Sequence, residues 1–281
     1  MFPPSLKEMF AVAAKLPAAP QVLAELAELL EDINADTAEI AALLKRDGPL
    51  AAAILRISNS AYYGNGGVGS VEAAVTRVGF SEVHRLTGFA ATGMLAERGL
   101  RYYAVEAEQL REHMICAALA AEALATAAGL NPRHAYTSGL LRPIGMMVLD
   151  RMARAGNLPE SEYYRPEDAE GYAQWETRVV QIRSSAVAGV VLSEWRFAPD
   201  VVEAVRGHAL TAGATPPTPG AALLHLALGI VETCDHGLPG EAGRWTPSPE
   251  KLELAGIDEA ILPDCAEEVR GLLDRMLAAL V

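Results

Sequence analysis

Six histidines could do chemistry here, of which His113 and His225 lie on apolar helical stretches and His208 at the end of a helix, and one arginine stands in the run Gly139-Leu140-Leu141-Arg142-Pro143-Ile144-Gly145. An imidazole holds a metal or moves a proton near neutral pH, and a guanidinium grips phosphate or carboxylate through paired N–H bonds. A metal that activates water needs about three protein ligands and an open position, and manganese or iron sites usually add carboxylate oxygen. Isolated imidazoles fall short of that. On a helix, His113 shares a face with Ala117, Ala120 and Leu124, which is how a packed core histidine sits, and His225 lies on an apolar helix in the same way. Arg142 leaves two readings open: it holds an anionic ligand in a cleft, or it is exposed or paired with a nearby Glu or Asp. No G-x-S-x-G, H-E-x-x-H, P-loop or G-x-G-x-x-G pattern occurs. Asn65-Gly66-Gly67-Val68-Gly69 lacks the strand and lysine of a phosphate cradle and reads as a connection.

The elements that must position these residues are helices. Pro20 opens Gln21 to Leu30, where Val22, Leu23, Leu26, Leu29 and Leu30 form a stripe. Asp36 with Glu39 makes a capping-box pattern, and Asp47 with Pro49 starts a further helix through Ile57. Ser70 caps the next helix, and Gly79 is expected to end it in the left-handed conformation. An alanine-rich helix runs from Val105 to Ala128 and closes at Gly129, and Asn131-Pro132 opens another that must break at Arg142 because Pro143 cannot donate to the preceding turn. Ile144 to Met152, Trp175 to Ile182, Ser185 to Trp195 and Pro199 to His208 follow as helices. Gly156 to Gly171 reads as an exposed connection and Thr211 to Gly220 as a linker. Ala221 to Asp235, a loop to Pro249, and Glu259 to Leu280 complete the chain, and no alternating strand pattern is present.

Composition agrees. Hydrophobic residues make up 51% of 281 residues but aromatics only 6%, so alanine and leucine fill the core, and the expected fold class is all-α. The net charge of -13 disfavours a nucleic-acid partner, whose affinity comes largely from lysine and arginine. Cys116, Cys234 and Cys265 are odd in number and widely spaced, which suits a reducing cytoplasm rather than a disulfide framework. The most apolar stretch, Ala221 to Val231, contains His225 and is too short to cross a membrane, and the N-terminus is unlike a signal peptide.

The run Gly139 to Gly145 resembles the Gly-Leu-Leu-His-Asp-Ile-Gly stretch of the HD-type metal phosphohydrolases, with Arg142-Pro143 in place of the metal-binding doublet. The N-terminal part resembles the HDOD family, the HD-related output domains of bacterial signalling proteins. The residues that carry this are Leu16 to Pro20, including Pro17 and Pro20, then Leu43 to Leu50 with Asp47, then Ile54 to Gly64 with Asn59, Ser60, Tyr63 and Gly64, and finally Ser70 to Val75 with Val78-Gly79.

The resemblance implies a small N-terminal helical subdomain (1–104) on an HD-like helical core (105–210), followed by a linker and a helical C-terminal extension (211–281) packed on the core. It implies a cytoplasmic signalling module that contacts other signalling proteins and is not an enzyme. Of the hydrolase ligand positions only His113 and His208 keep histidine. The others fall on Arg142, Pro143, Ser185, Gly207 and Leu228, so a degenerate metal site without a cofactor is expected. His113, Arg142 and His208 would line a vestigial cleft, where a small anionic ligand such as a nucleotide second messenger is the alternative use. A cryptic phosphohydrolase ranks below both.

Overall fold

The computed structural model describes residues 4–60, 63–64, 67–167, 170–210 and 217–278. The helices run α1 (Leu6–Ala13), α2 (Ala19–Leu29), α3 (Thr37–Leu44), α4 (Gly48–Ser58), α5 (Val71–Val78), α6 (Phe80–Leu95), α7 (Ala107–Ala128) and α8 (Pro132–Leu141). They continue with α9 (Ile144–Ala155), α10 (Tyr172–Trp175), α11 (Ser184–Glu194), α12 (Pro199–Gly207), α13 (Pro219–Thr233), α14 (Pro249–Ala255) and α15 (Leu262–Ala278). The fold is all-α, and among the described residues the one pairing of extended backbone is an isolated antiparallel bridge between Leu100 and Val105.

The caps explain the boundaries. Asp36 and Glu39 form the reciprocal capping box of α3, with Glu39 N–H donating to Asp36 at 2.8 Å and Asp36 N–H to the Glu39 carboxylate at 3.2 Å. Asp47 accepts from Leu50 N–H at the start of α4, Ser70 from Ala73 N–H at α5, and Asn131 from Arg133 and His134 N–H at α8. Gly129 ends α7 with φ 69° and ψ 22°, the left-handed turn expected of it. Gly79 departs from that expectation. Its φ of 79° is positive but its ψ of 164° is extended, so it links α5 directly to α6 at Phe80 instead of closing a left-handed cap.

The centre of the molecule is α7. Leu110, Met114, Ile115, Leu119 and Leu124 are buried, with small Ala117, Ala118, Ala120 and Ala121 between them, so neighbouring helices approach closely. α8, α13, α15 and α6 pack on it, while α9 lies against α11, and α12 against both α11 and α13. α2 to α6 pack on one another, with α2 and α6 touching α8, and α1 meets α9 and α11. Two glycines set the spacing at the helix break. A Cβ on Gly139 would lie 2.3 Å from the Ala117 carbonyl oxygen, and one on Gly145 would lie 1.9 Å from that of Ser184. α8 can press on α7, and α9 on α11, only with hydrogen at these positions.

Three stretches differ from the sequence reading. Trp175 to Ile182 is not one α-helix but α10 followed by a π-helical turn, Glu176–Val180, ending at Gln181 with φ 56°. Gly156 to Gly171 is not simply exposed: Tyr164 is buried, Trp175 Nε1–H donates to the Glu162 carbonyl at 2.9 Å, and Tyr163 stacks edgewise on Tyr102. The loop before Pro249 contains a helical turn at Pro239–Glu241, and α14 lies beyond it. Residues 211–216 of the expected linker, Asn65 and Gly66 of the glycine-rich connection, and the expected end of the last helix lie outside the described residues.

Candidate functional site

The break at Arg142-Pro143 separates α8 from α9, as proline geometry requires, and points the Arg142 side chain inward. Arg142 is 5% exposed. Its Nη1–H donates to His113 Nε2 at 3.2 Å, its Nε–H to His208 Nε2 at 3.3 Å, and its Nη2–H to the Glu241 carboxylate, while the guanidinium lies 5.4 Å from the centre of the Trp245 ring. A cation is thus enclosed by two ring lone pairs, a carboxylate and an aromatic face.

The backbone sets the tautomers. His113 Nδ1 meets the His236 carbonyl at 2.9 Å, and His208 Nδ1 meets the Val205 carbonyl at 2.7 Å. A carbonyl can only accept, so each Nδ1 carries the hydrogen and each Nε2 presents a lone pair to Arg142. Burial, with the Arg142 charge second, pushes both histidines down to about 3. They are neutral acceptors throughout the physiological range.

The flanking groups are held as well. His225 Nδ1–H donates to the His208 carbonyl at 3.1 Å, and Lys251 Nζ donates to His225 Nε2 at 2.8 Å and to the Thr246 carbonyl at 2.6 Å. His225 therefore positions the backbone of His208 and the Trp245-Thr246 segment. It does not join the cluster. Glu176, buried in the π-helical turn, accepts from Tyr103 O–H and Ser184 N–H, both at 3.0 Å, and burial raises its carboxyl above the usual range.

A cleft of about 180 Å³ opens beside the cluster, walled by Arg142, His208, Glu241, Trp245 and the Ser184-Ser185 end of α11, with Arg183 and Arg244 also on it. Of the positions singled out in the sequence, His113, Arg142 and His208 meet in space, but His113 faces Arg142 and is not part of the cleft wall. Ser185 stands on that wall, Gly207 ends α12 just before His208, and Leu228 is buried in the apolar face of α13. Pro143 begins α9 and accepts Met147 N–H through its carbonyl. Arg142 falls under the paired reading, its partner being Glu241, 99 residues downstream.

An HD-type site implies a divalent metal. The donors present do not fit one: both imidazole lone pairs and one Glu241 oxygen are taken by a guanidinium that cannot lose its proton. Among the described residues no three His, Cys, Asp or Glu side chains converge as metal ligands.

A family model for the HDOD domain matches residues 16–210. The chain belongs to the HDOD domain family.

Solved structures with the same fold include an HDOD domain protein of unknown function from Geobacter sulfurreducens, with a TM-score of 0.68 at 20% identity over 96% of this chain and 97% of that one. A Marinobacter aquaeolei VT8 protein, provisionally named for signal transduction, has a TM-score of 0.69 at 19% identity over 97% of this chain and 64% of that one. A Shewanella amazonensis SB2B protein, provisionally named a phosphohydrolase, has a TM-score of 0.63 at 20% identity over 97% and 96%. No curated protein matches the chain. At these identities the shared property is the fold.

The HDOD signature residues serve architecture. Pro20 sits in the first turn of α2 and Asp47 caps α4. Asn59 caps the other end of α4 and clamps Val68 with two bonds of 2.9 Å, to its carbonyl and from its N–H. Gly64 has φ 96° and Gly79 φ 79°, both closed to ordinary side chains. Pro17 precedes α2, Ser60 N–H donates to the Ile57 carbonyl, and Tyr63 is half-buried just after α4. The residues that complete the cluster, Glu241 and Trp245, lie beyond the matched range. Neither was foreseen, because a Gly/Pro-rich loop has no periodicity to report which side chain turns inward.

Proposed function

We propose that this HDOD domain is a non-catalytic signalling module of the bacterial cytoplasm that acts through contacts with other proteins, its metal site having been replaced by an internal cation. The observation that carries the reading is that Arg142 takes both Nε2 lone pairs of His113 and His208, the pair a hydrolytic metal would need. A further support is that the histidine tautomers and the buried position are those of metal ligands, so the guanidinium stands in for the ion without rebuilding its surroundings. In the described residues no helix is long and apolar enough to cross a membrane, in keeping with that location.

Elemental analysis of the full chain, purified without chelators, tests this together with an assay for nucleotide and phosphodiester hydrolysis. Less than a tenth of an equivalent of iron, manganese or zinc and no turnover are expected. Stoichiometric metal lost in His113→Ala, with hydrolysis lost alongside it, would restore the phosphohydrolase reading. Affinity capture under the same conditions should return specific protein partners, and surface variants that abolish capture should leave the thermal midpoint unchanged. The cleft beside Arg142 favours a second reading, in which a small ligand modulates those contacts.

A further inference from the structure

Glu241 is 7% exposed and its carboxylate is divided in use. One oxygen accepts from Arg142, while the other, Oε2, is buried without a hydrogen-bond partner. A buried carboxylate oxygen left unmatched is rare in folded proteins, because its desolvation is not repaid. The same residue forms part of the wall of the 180 Å³ cleft, whose other charged residues are Arg142, Arg183, Arg244 and Glu176.

The groups around the cleft are not equally free. Glu176 is committed to Tyr103 and Ser184, and Tyr172 O–H donates to the Tyr103 carbonyl at 2.8 Å. Arg183 is 3.6 Å from Glu176 and partly exposed, and Arg244 is exposed, its guanidinium resting against Gly171, where a Cβ would come within 2.3 Å of it. Tyr172 packs as tightly on Gly240, where a Cβ would lie 2.2 Å from the ring. The segment that carries Glu241 and Arg244 is therefore held against α10 by close contacts.

We propose that this cleft binds a small zwitterion of the free amino-acid class, with the ammonium set beside the Glu241 carboxylate on the cleft wall and the carboxylate taken by Arg183 and Arg244. The ammonium adds a second positive partner to a carboxylate that Arg142 matches at only one oxygen, and guanidiniums are the side chains best shaped for a carboxylate. Three guanidiniums and two carboxylates leave the walls near a single positive charge, which suits a neutral or singly anionic molecule. The volume holds about six waters and is smaller than the roughly 300–1,000 Å³ of sites for drug-sized ligands, which favours an amino acid over a nucleotide. The proposal rests on the non-catalytic reading of the same site, since it needs Arg142 and Glu241 paired.

The test is a thermal-shift screen of the full chain against the twenty free amino acids at 10 mM, with acetate, ethylamine and AMP as controls. At least one amino acid should raise the midpoint by about 3 °C or more in a dose-dependent way, and the controls should not. Arg244→Ala should weaken binding at least tenfold by calorimetry, read against its own unliganded midpoint. Glu241→Gln should also weaken it. A flat response to all twenty, an equal shift in Arg244→Ala, or stabilisation by acetate or AMP alone would overturn the proposal. Elemental analysis of the same sample separates the two failures: a flat screen on metal-free protein fells the zwitterion alone, and stoichiometric metal fells the reading beneath it.

Discussion

At the Arg142 cluster two histidines are sealed from solvent and face a guanidinium, whereas at the seam between α2, α8 and α12 a third histidine is half-buried and faces carboxylates. There His134 Nδ1 pairs with Asp200 at 2.6 Å, and its Nε2 lies 3.4 Å from Glu31, which also accepts from Asn131. The Asp200 hydrogen bond raises His134 above its ordinary value, and His134 in turn lowers Asp200. Burial and the Arg142 charge push His113 and His208 the other way, to about 3. One residue type thus serves as a permanent acceptor in one place and as an acid-stabilised clamp in the other. The solvent and the sign of the neighbour decide which.

The largest effect should come from breaking the buried pair. Arg142→Ala leaves the Glu241 charge buried and uncompensated, at a cost of about 3–5 kcal/mol. Urea denaturation measures it. Arg142→Leu with Glu241→Leu removes both charges and should recover most of the loss, so a double variant as unstable as the single one would show that the ion pair is not the reason.

Next comes the acid limb of the wild type. His113 and His208 have folded values below their unfolded ones, so their contribution is complete above about pH 6.5 and is lost as pH falls toward their folded value of about 3. Each should cost on the order of 1 kcal/mol per pH unit across that window. In Arg142→Ala, with the repelling charge gone, the limb should become shallower. Denaturation midpoints from pH 7 to pH 4 test both, and an unchanged slope would mean that burial alone sets these values.

The smallest effect belongs to the seam. A raised His134 stabilises below about pH 6.5 and loses that contribution as pH rises through its folded value. Since Asp200 and Glu31 are largely exposed, His134→Ala should cost under about 1 kcal/mol at pH 6 and almost nothing at pH 9. A loss that grows with pH instead would reverse the comparison.

Much of this architecture can be read from the chain because its signals are local. A cap such as Asp36 with Glu39, a stop such as Gly129 and a break such as Pro143 act within a turn or two, and each falls where residue chemistry places it. The meeting of His113, Arg142 and His208 was legible only through resemblance. What closes the cluster was not, because Glu241 is 99 residues from Arg142 and in a segment without periodicity. The π-helical turn at Glu176 escaped for a related reason: it is fixed by a buried carboxylate bonding to Tyr103 and Ser184, which are distant in sequence or across a loop. His134 and Asp200 carry no helical or motif signal that marks them as a pair.

Gly139 and Gly145 bracket the helix break because backbone lies where their Cβ atoms would be. Their presence thus records how tightly helices are stacked and says nothing about catalysis. Packing can hold both glycines fixed while leaving the doublet at Arg142-Pro143 free to differ in its chemistry. A motif of this form is two constraints written as one string, the outer glycines set by packing and the inner doublet by what lies in the pocket it faces.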